Sequence, residues 1–85
     1  MTDEVLAITQ EECAEVVQAI SKVMRFGLEG EYNGTTNKSR LEEEVGDLMC
    51  MLQLLEEKGY VDWSLVSLHA ARKKEKLKKW SNIFN

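Results

Sequence analysis

Proline is absent from these 85 residues, histidine occurs once, at His69, and cysteine twice, at Cys13 and Cys50. Without proline, nothing in the chain forces a break in a helix. A di-iron helical bundle wants two E-x-x-H motifs, so a single histidine excludes it. His69 reads as a helix-surface or packing residue rather than a catalyst. Two cysteines are too few for a disulfide scaffold or a zinc cluster. Both sit among core-type residues and read as buried, reduced thiols, with no histidine nearby to form a nucleophilic dyad. No apolar run approaches the roughly 20 residues that span a bilayer. The start, MTDEVLAITQEE, has neither the basic opening nor the apolar stretch of a secretory signal, which points to the cytoplasm. The G-x-x-x-x-G-K-[ST] string of a phosphate-binding loop is also missing.

Charge is plentiful, at 31% of residues, and 44% are hydrophobic, so the chain is globular in composition and long enough for one domain, residues 1–85. The net charge of −4 is unevenly spread. Residues 1–31 carry seven acids and two bases, residues 36–59 six acids and three bases, and residues 60–85 two acids and six bases. A globally acidic chain opposes nucleic-acid binding, although the run from Arg72 to Lys79 offers one positive stretch.

Apolar periodicity is helical throughout, which predicts an all-α fold. A first helix carries Cys13, Val16, Val17, Ile20, Val23 and Met24 at helical spacing. It starts either near Asp3 or at Thr9, which has the capping-box spacing to Glu12, and ends before Gly27. The segment GLEGEYNGTTN reads as a loop. A second helix is expected from Asn37–Ser39 to Lys58, and a third from Asp62 to about Trp80. On the second, Leu41, Val45, Leu48, Leu52 and Leu55 form one stripe, with Met49, Cys50, Met51 and Leu54 outside it. From Leu48 to Leu55 only Gln53 is polar. A helix apolar all round must be covered all round, which one short chain can hardly do. A helical hairpin plus a third helix is therefore expected to build a four-helix-bundle-like core by oligomerising, as a homodimer or homotetramer.

The first helix holds Glu11, Glu12 and Glu15, and the second Glu42, Glu43, Glu44 and Asp47. Residues three or four apart share a helix face, which makes neighbours of Glu12 and Glu15 and of Glu44 and Asp47. If the two helices pack antiparallel, these four carboxylates converge at one edge of the seam. Their repulsion calls for a cation, and an all-oxygen, strongly negative site suits Mg²⁺, with Mn²⁺ as substitute. The plain alternative is a set of solvated acids on exposed helix faces.

The pattern E-E-x-x-E, a loop, then E-x-x-D resembles the MazG-like, all-α nucleoside triphosphate pyrophosphohydrolase family. EECAEVVQAISKVMRFG (residues 11–27) and NKSRLEEEVGDLMCMLQLL (residues 37–55) carry the resemblance, and ARKKEKLKKW is similar to that family's lysine-bearing last helix. The short form, with ISKVMRFG and N-x-S-R-L, resembles small bacteriophage-encoded members, whose place would be the host cytoplasm. One departure is Lys74, where a common pattern has asparagine two residues before Lys76 and Leu77.

The resemblance implies hydrolysis of a (deoxy)nucleoside triphosphate to the monophosphate and pyrophosphate by water attack at the α-phosphorus, with dGTP a first guess. It makes Glu12, Glu15, Glu44 and Asp47 metal ligands. Glu11 and Glu43 are spare carboxylates that could take the water's proton, unless one of the four ligands does so. Lys22, Lys38, Arg40, Lys73 and Lys76 are candidates to hold the outer phosphates, and Phe26, Tyr32, Trp63, Trp80 and Phe84 to stack on the base. The other readings are a non-catalytic helical oligomerisation or interaction module and a small nucleic-acid binder. Neither predicts metal-dependent hydrolysis.

Overall fold

The computed structural model describes residues 3–85 and is all-α apart from a minimal ribbon. Its order is helix α1 (Glu4–Phe26), strands β1 (Glu31–Tyr32) and β2 (Thr35–Thr36), then helices α2 (Asn37–Glu57) and α3 (Trp63–Trp80). One compact unit runs to Leu55, and a second spans Glu56–Asn85. No helix among the described residues is long and apolar enough to cross a membrane.

Asp3 decides where α1 begins. Its carboxylate accepts from the backbone N–H of Val5 (2.9 Å) and Leu6 (3.2 Å), two donors that have no partner inside the helix. Thr9 is inside the helix, and its hydroxyl donates to the Val5 carbonyl, so the Thr9–Glu12 spacing is not a cap. Gly27 ends α1 at φ 82°, with its N–H on the Val23 carbonyl. The following segment, expected to be a loop, contains a two-stranded antiparallel ribbon that pairs Glu31 with Thr36 and Tyr32 with Thr35. Its turn is Asn33-Gly34, both at positive φ, the residue pair that a two-residue hairpin turn prefers.

The return into α2 is clamped to the exit from α1. The N–H groups of Asn37 and Lys38 donate to the carbonyls of Gly30 (2.8 Å) and Leu28 (2.9 Å). The buried side-chain amide of Asn37 donates to the Gly27 carbonyl at 3.0 Å. Thr36 caps α2 by accepting from the Ser39 N–H. So α2 runs back along α1. Its three buried residues are Asn37, Glu44 and Met51. They are seven apart, two turns each, and so fall on one line of the helix. This corrects the predicted stripe. Met51, counted outside it, is buried, whereas Val45 is 46% exposed. The clamp at Asn37 sets which side of α2 faces α1, and that side is centred on the Asn37 line rather than on the leucines. Facing it, α1 buries Ala19 and half-buries Val5, Ile8, Val16 and Val23.

Away from that seam, α1 exposes Leu6, Val17, Ile20 and Met24, and α2 exposes Val45 and Met49. Cys13 and Cys50, expected to be buried, are exposed for the same reason: both lie off the facing sides. In the second unit Asp62 caps α3 by accepting from the Ser64 N–H and hydroxyl, and Ser81 closes it onto the Leu77 carbonyl. No residue of α3 is buried. Beyond Trp80 the chain turns, and Phe84 comes under the Lys74 ammonium at 5.8 Å.

Two glycines give a matched test. A Cβ on Gly30 would lie 2.8 Å from the Phe26 carbonyl oxygen and 2.9 Å from the Asn37 amide nitrogen, while one on Gly46, within α2, meets open space. Gly30→Ala is expected to destabilise by roughly 1–3 kcal/mol through this overpacking, and Gly46→Ala to stabilise by about 0.5–1 kcal/mol through helix propensity. Urea unfolding followed by circular dichroism measures both. Equal effects of one sign would dismiss the clamp.

Candidate functional site

The facing helices bring carboxylates together from both sides of the seam. Glu12 of α1 and Glu44 and Asp47 of α2 each offer an oxygen, and the three oxygens lie within 4.8 Å of one another. Glu12 is half-buried, Glu44 buried and Asp47 exposed, so the group opens toward solvent on the Asp47 side. Local geometry explains the set. Glu44 is on the buried Asn37–Met51 line, and Asp47, three residues on, is one turn along and turned toward the edge. Glu12 occupies the buried face of α1 seven residues before Ala19. Glu15 is exposed and stands outside this set, yet it is near enough to act electrostatically on both Glu12 and Glu44.

Loss of hydration raises the Glu12 carboxyl above its ordinary range, and the charges of Asp47, Glu15 and Glu11 push it further. Glu44 is raised by the same loss of hydration, then by Glu15, Asp47, Glu12 and Glu43. One oxygen of Glu12, Oε2, is buried with no hydrogen-bond partner. A buried acceptor without a donor is costly, and a carboxylate among carboxylates more so. No basic side chain forms an ion pair with the group: the one salt bridge among the described residues is Lys78–Glu75, on α3. An arrangement that raises proton affinity in this way also attracts cations. An oxygen-only set with an orphaned buried oxygen is a chemical fit for a hard divalent ion.

The remaining predicted residues distribute as follows. Glu11 and Glu43 are exposed neighbours of Glu12 and Glu44. Arg40 is seven residues before Asp47 and so on the same flank of α2, whereas Lys38 is rotated to the other flank. Lys22 lines a hollow at the ribbon end of the first unit, together with Phe26, Gly30, Glu31, Tyr32 and Asn37. Lys73 and Lys76 are exposed on α3. The sequence reading missed Asn37 as the residue that orients α2. Its string TTNKS carries only a helix-start signal.

The family model of the MazG nucleotide pyrophosphohydrolase domain matches residues 2–81 of the chain. No curated protein and no solved structure matches it.

The raised carboxyls make a prediction about pH. Between the ordinary glutamate value of 4.5 and the raised values, the folded chain holds protons that the unfolded chain releases, so stability falls as pH rises through that window. In metal-free buffer Glu44→Gln, which removes one repelling charge, should melt above the wild type at pH 8, and the gap should close toward pH 4.5. Thermal melts in EDTA check this. A gap that widens on acidification would contradict it.

Proposed function

The chain belongs to the MazG nucleotide pyrophosphohydrolase family, and from that premise we propose that it hydrolyses (deoxy)nucleoside triphosphates, dGTP among them, to the monophosphate and pyrophosphate with a divalent metal. The observation that carries the reading is the meeting of Glu12, Glu44 and Asp47 oxygens within 4.8 Å, one buried Glu12 oxygen being unpartnered, inside the matched domain. These three residues, with Glu15 beside them, are the proposed ligands of Mg²⁺, or Mn²⁺ in its place. Bound there, the cation would offset charge on phosphate oxygens and lower the pKa of coordinated water.

The chain's own residues supply the rest. Glu12 and Glu44 present a rigid, half-dehydrated negative wall, which restricts where a phosphate–metal unit can rest. Water forms a bond to the α-phosphorus, the bond to the α–β bridging oxygen breaks, and pyrophosphate leaves with that oxygen. The water's proton goes to a free carboxylate, for which Glu11 and Glu43 are the proposed bases, both exposed next to a ligand. Arg40, on the Asp47 flank, is proposed to hold outer phosphates. Lys38, Lys73 and Lys76 are proposed for the same role on charge alone.

We also propose that the working form is a homo-oligomer, a homodimer or homotetramer. The acids lie at one edge of the α1–α2 pair. Leu6, Val17, Ile20 and Met24 of α1, with Val45 and Met49 of α2, lie toward the opposite edge. A second copy covering those residues would bury them and leave the acids open. Apolar surface contributes about 25 cal/mol per Å² when buried, which favours closing this face. Met51, buried within the chain, is not a useful interface probe, whereas Met24 is 81% exposed.

Three outcomes are expected. Mg²⁺ should raise the melting temperature and EDTA should abolish turnover. Glu44→Ala and Asp47→Ala should lower kcat by orders of magnitude without unfolding the chain. The products should be monophosphate and pyrophosphate, with ¹⁸O from labelled water in the monophosphate. Diphosphate plus orthophosphate, or turnover that survives chelation, would reject the reading in favour of a different hydrolase, and no turnover of any nucleotide would favour a non-catalytic module. Separately, the protein should sediment as a dimer or tetramer and Met24→Glu should shift it toward monomer. A wild-type monomer with full activity at micromolar concentration would overturn the assembly.

A further inference from the structure

We propose that the hollow at the ribbon end of the first unit is the nucleobase subsite, with Tyr32 as the stacking surface and Glu31 and Lys22 as readers of the base edge. The inference rests on the pyrophosphohydrolase reading and specifies which part of the molecule would recognise the substrate. The hollow has a volume of about 530 Å³, lined by Lys22, Phe26, Gly30, Glu31, Tyr32 and Asn37. All six belong to the same compact unit as the acids.

Three physical features suit it to a flat, polar-edged ring. First, it is walled by two aromatic side chains left in solvent, Phe26 at 63% and Tyr32 at 67% exposure. Arg25 already lies over the Phe26 ring at 5.0 Å, which holds that ring by one face. Tyr32, on β1 before the Asn33-Gly34 turn, has no such partner among the described residues. Every nucleobase has a π-face, so stacking on it tolerates any base. Second, the wall carries a cation, Lys22, and an anion, Glu31, which form no ion pair with each other. A base edge presents carbonyl or ring-nitrogen acceptors beside N–H donors and meets both. Third, the floor is held firmly. The Asn37 amide nitrogen is committed to the Gly27 carbonyl, and Gly30 leaves no room for a Cβ beside it.

Position completes the argument. Lys22 follows Glu15 by seven residues on α1, and Asn37 precedes Glu44 by seven on α2. Two helical turns amount to roughly 10 Å along the axis, comparable with the length of a nucleoside. The hollow is thus displaced by two turns from Glu44 on α2 and by two turns from Glu15, beside the cluster, on α1. A nucleotide with its α-phosphate at the acids can lay its sugar and base toward the ribbon.

The test compares substrates that have a base with a probe that has none. KM and kcat are measured for the four dNTPs, and inorganic tripolyphosphate is titrated as a competitive inhibitor. For Tyr32→Ala, KM for the dNTPs should rise roughly 5- to 150-fold, the loss of one stacked base. Its kcat and the tripolyphosphate inhibition constant should stay within about twofold of wild type, since phosphate contacts are kept. Tyr32→Phe should restore KM, and Glu31→Gln should change the order of preference among the dNTPs. Unchanged KM in Tyr32→Ala, or an equal loss for dNTPs and tripolyphosphate, would overturn the subsite. If the wild type turns over nothing, the hydrolase reading fails on its own. The subsite is then read by NMR, through shifts of the Lys22, Gly30 and Tyr32 amides on adding a deoxynucleoside monophosphate but not ribose 5-phosphate. Absence of those shifts would reject the subsite as well.

Discussion

The hydrogen bond from the Asn37 side chain to the Gly27 carbonyl determines how α2 is rotated about its own axis. Asn37, Glu44 and Met51 are two turns apart in succession, so the rotation that buries the first also buries the other two. Met51 enters the apolar seam, and Glu44 is driven into partial dehydration opposite Glu12. A helix placed by its leucines alone would turn Val45 inward and leave Glu44 at the flank of the seam, less dehydrated than it is here. The clamp itself depends on Gly30, the position in the turn where the Phe26 carbonyl and the Asn37 amide leave no space for a side chain. Gly30, Asn37 and Glu44 therefore act as one device, in which a local backbone requirement is converted into a site.

Such a device works against the stability of the chain. Burying carboxylates beside one another raises their proton affinity and leaves a Glu12 oxygen without a donor. The apolar seam that resists this is thin, with only Ala19 and Met51 buried among the described hydrophobic residues. A small scaffold with so slight a core usually needs a further source of stability, a metal or a second subunit. The proposed function calls on both. A divalent ion answers the repulsion at the acidic edge, and a partner copy answers the exposed residues at the opposite edge. The separation of the two edges lets both act at once, since the surface that would associate is not the one that would bind substrate.

The second unit follows a different logic. Its helix is firmly capped at both ends, yet buries none of its residues, and its six cations lie on one short stretch. Caps secure a helix locally, but a helix with exposed Leu65, Leu68 and Trp80 gains little from its own unit. Its charge makes it the chain's strongest attractor for polyanions, consistent with the proposed phosphate-holding role of Lys73 and Lys76.

The sequence by itself determined the three helices, close to their ends, because caps such as Asp3 and Asp62 and terminators such as Gly27 and Gly59 act within a few residues. It also determined the family and which acids share a helix face, since E-x-x-E and E-x-x-D place carboxylates on one face whatever the helix packs against. The Asn33-Gly34 turn is equally legible, because that residue pair itself favours a two-residue hairpin. What only the tertiary structure decided is rotation and register between helices. Periodicity marks an apolar side but not its centre when α2 is apolar nearly all round, so Val45 and Met51 exchanged expected places. The convergence of Glu12, Glu44 and Asp47 was legible, but the same ambiguity hid the position of Glu15 just outside that set and the exposure of Cys13 and Cys50. Those depend on a side-chain-to-backbone bond across ten residues, Asn37 to Gly27, which needs the turn between the helices to bring distant residues together.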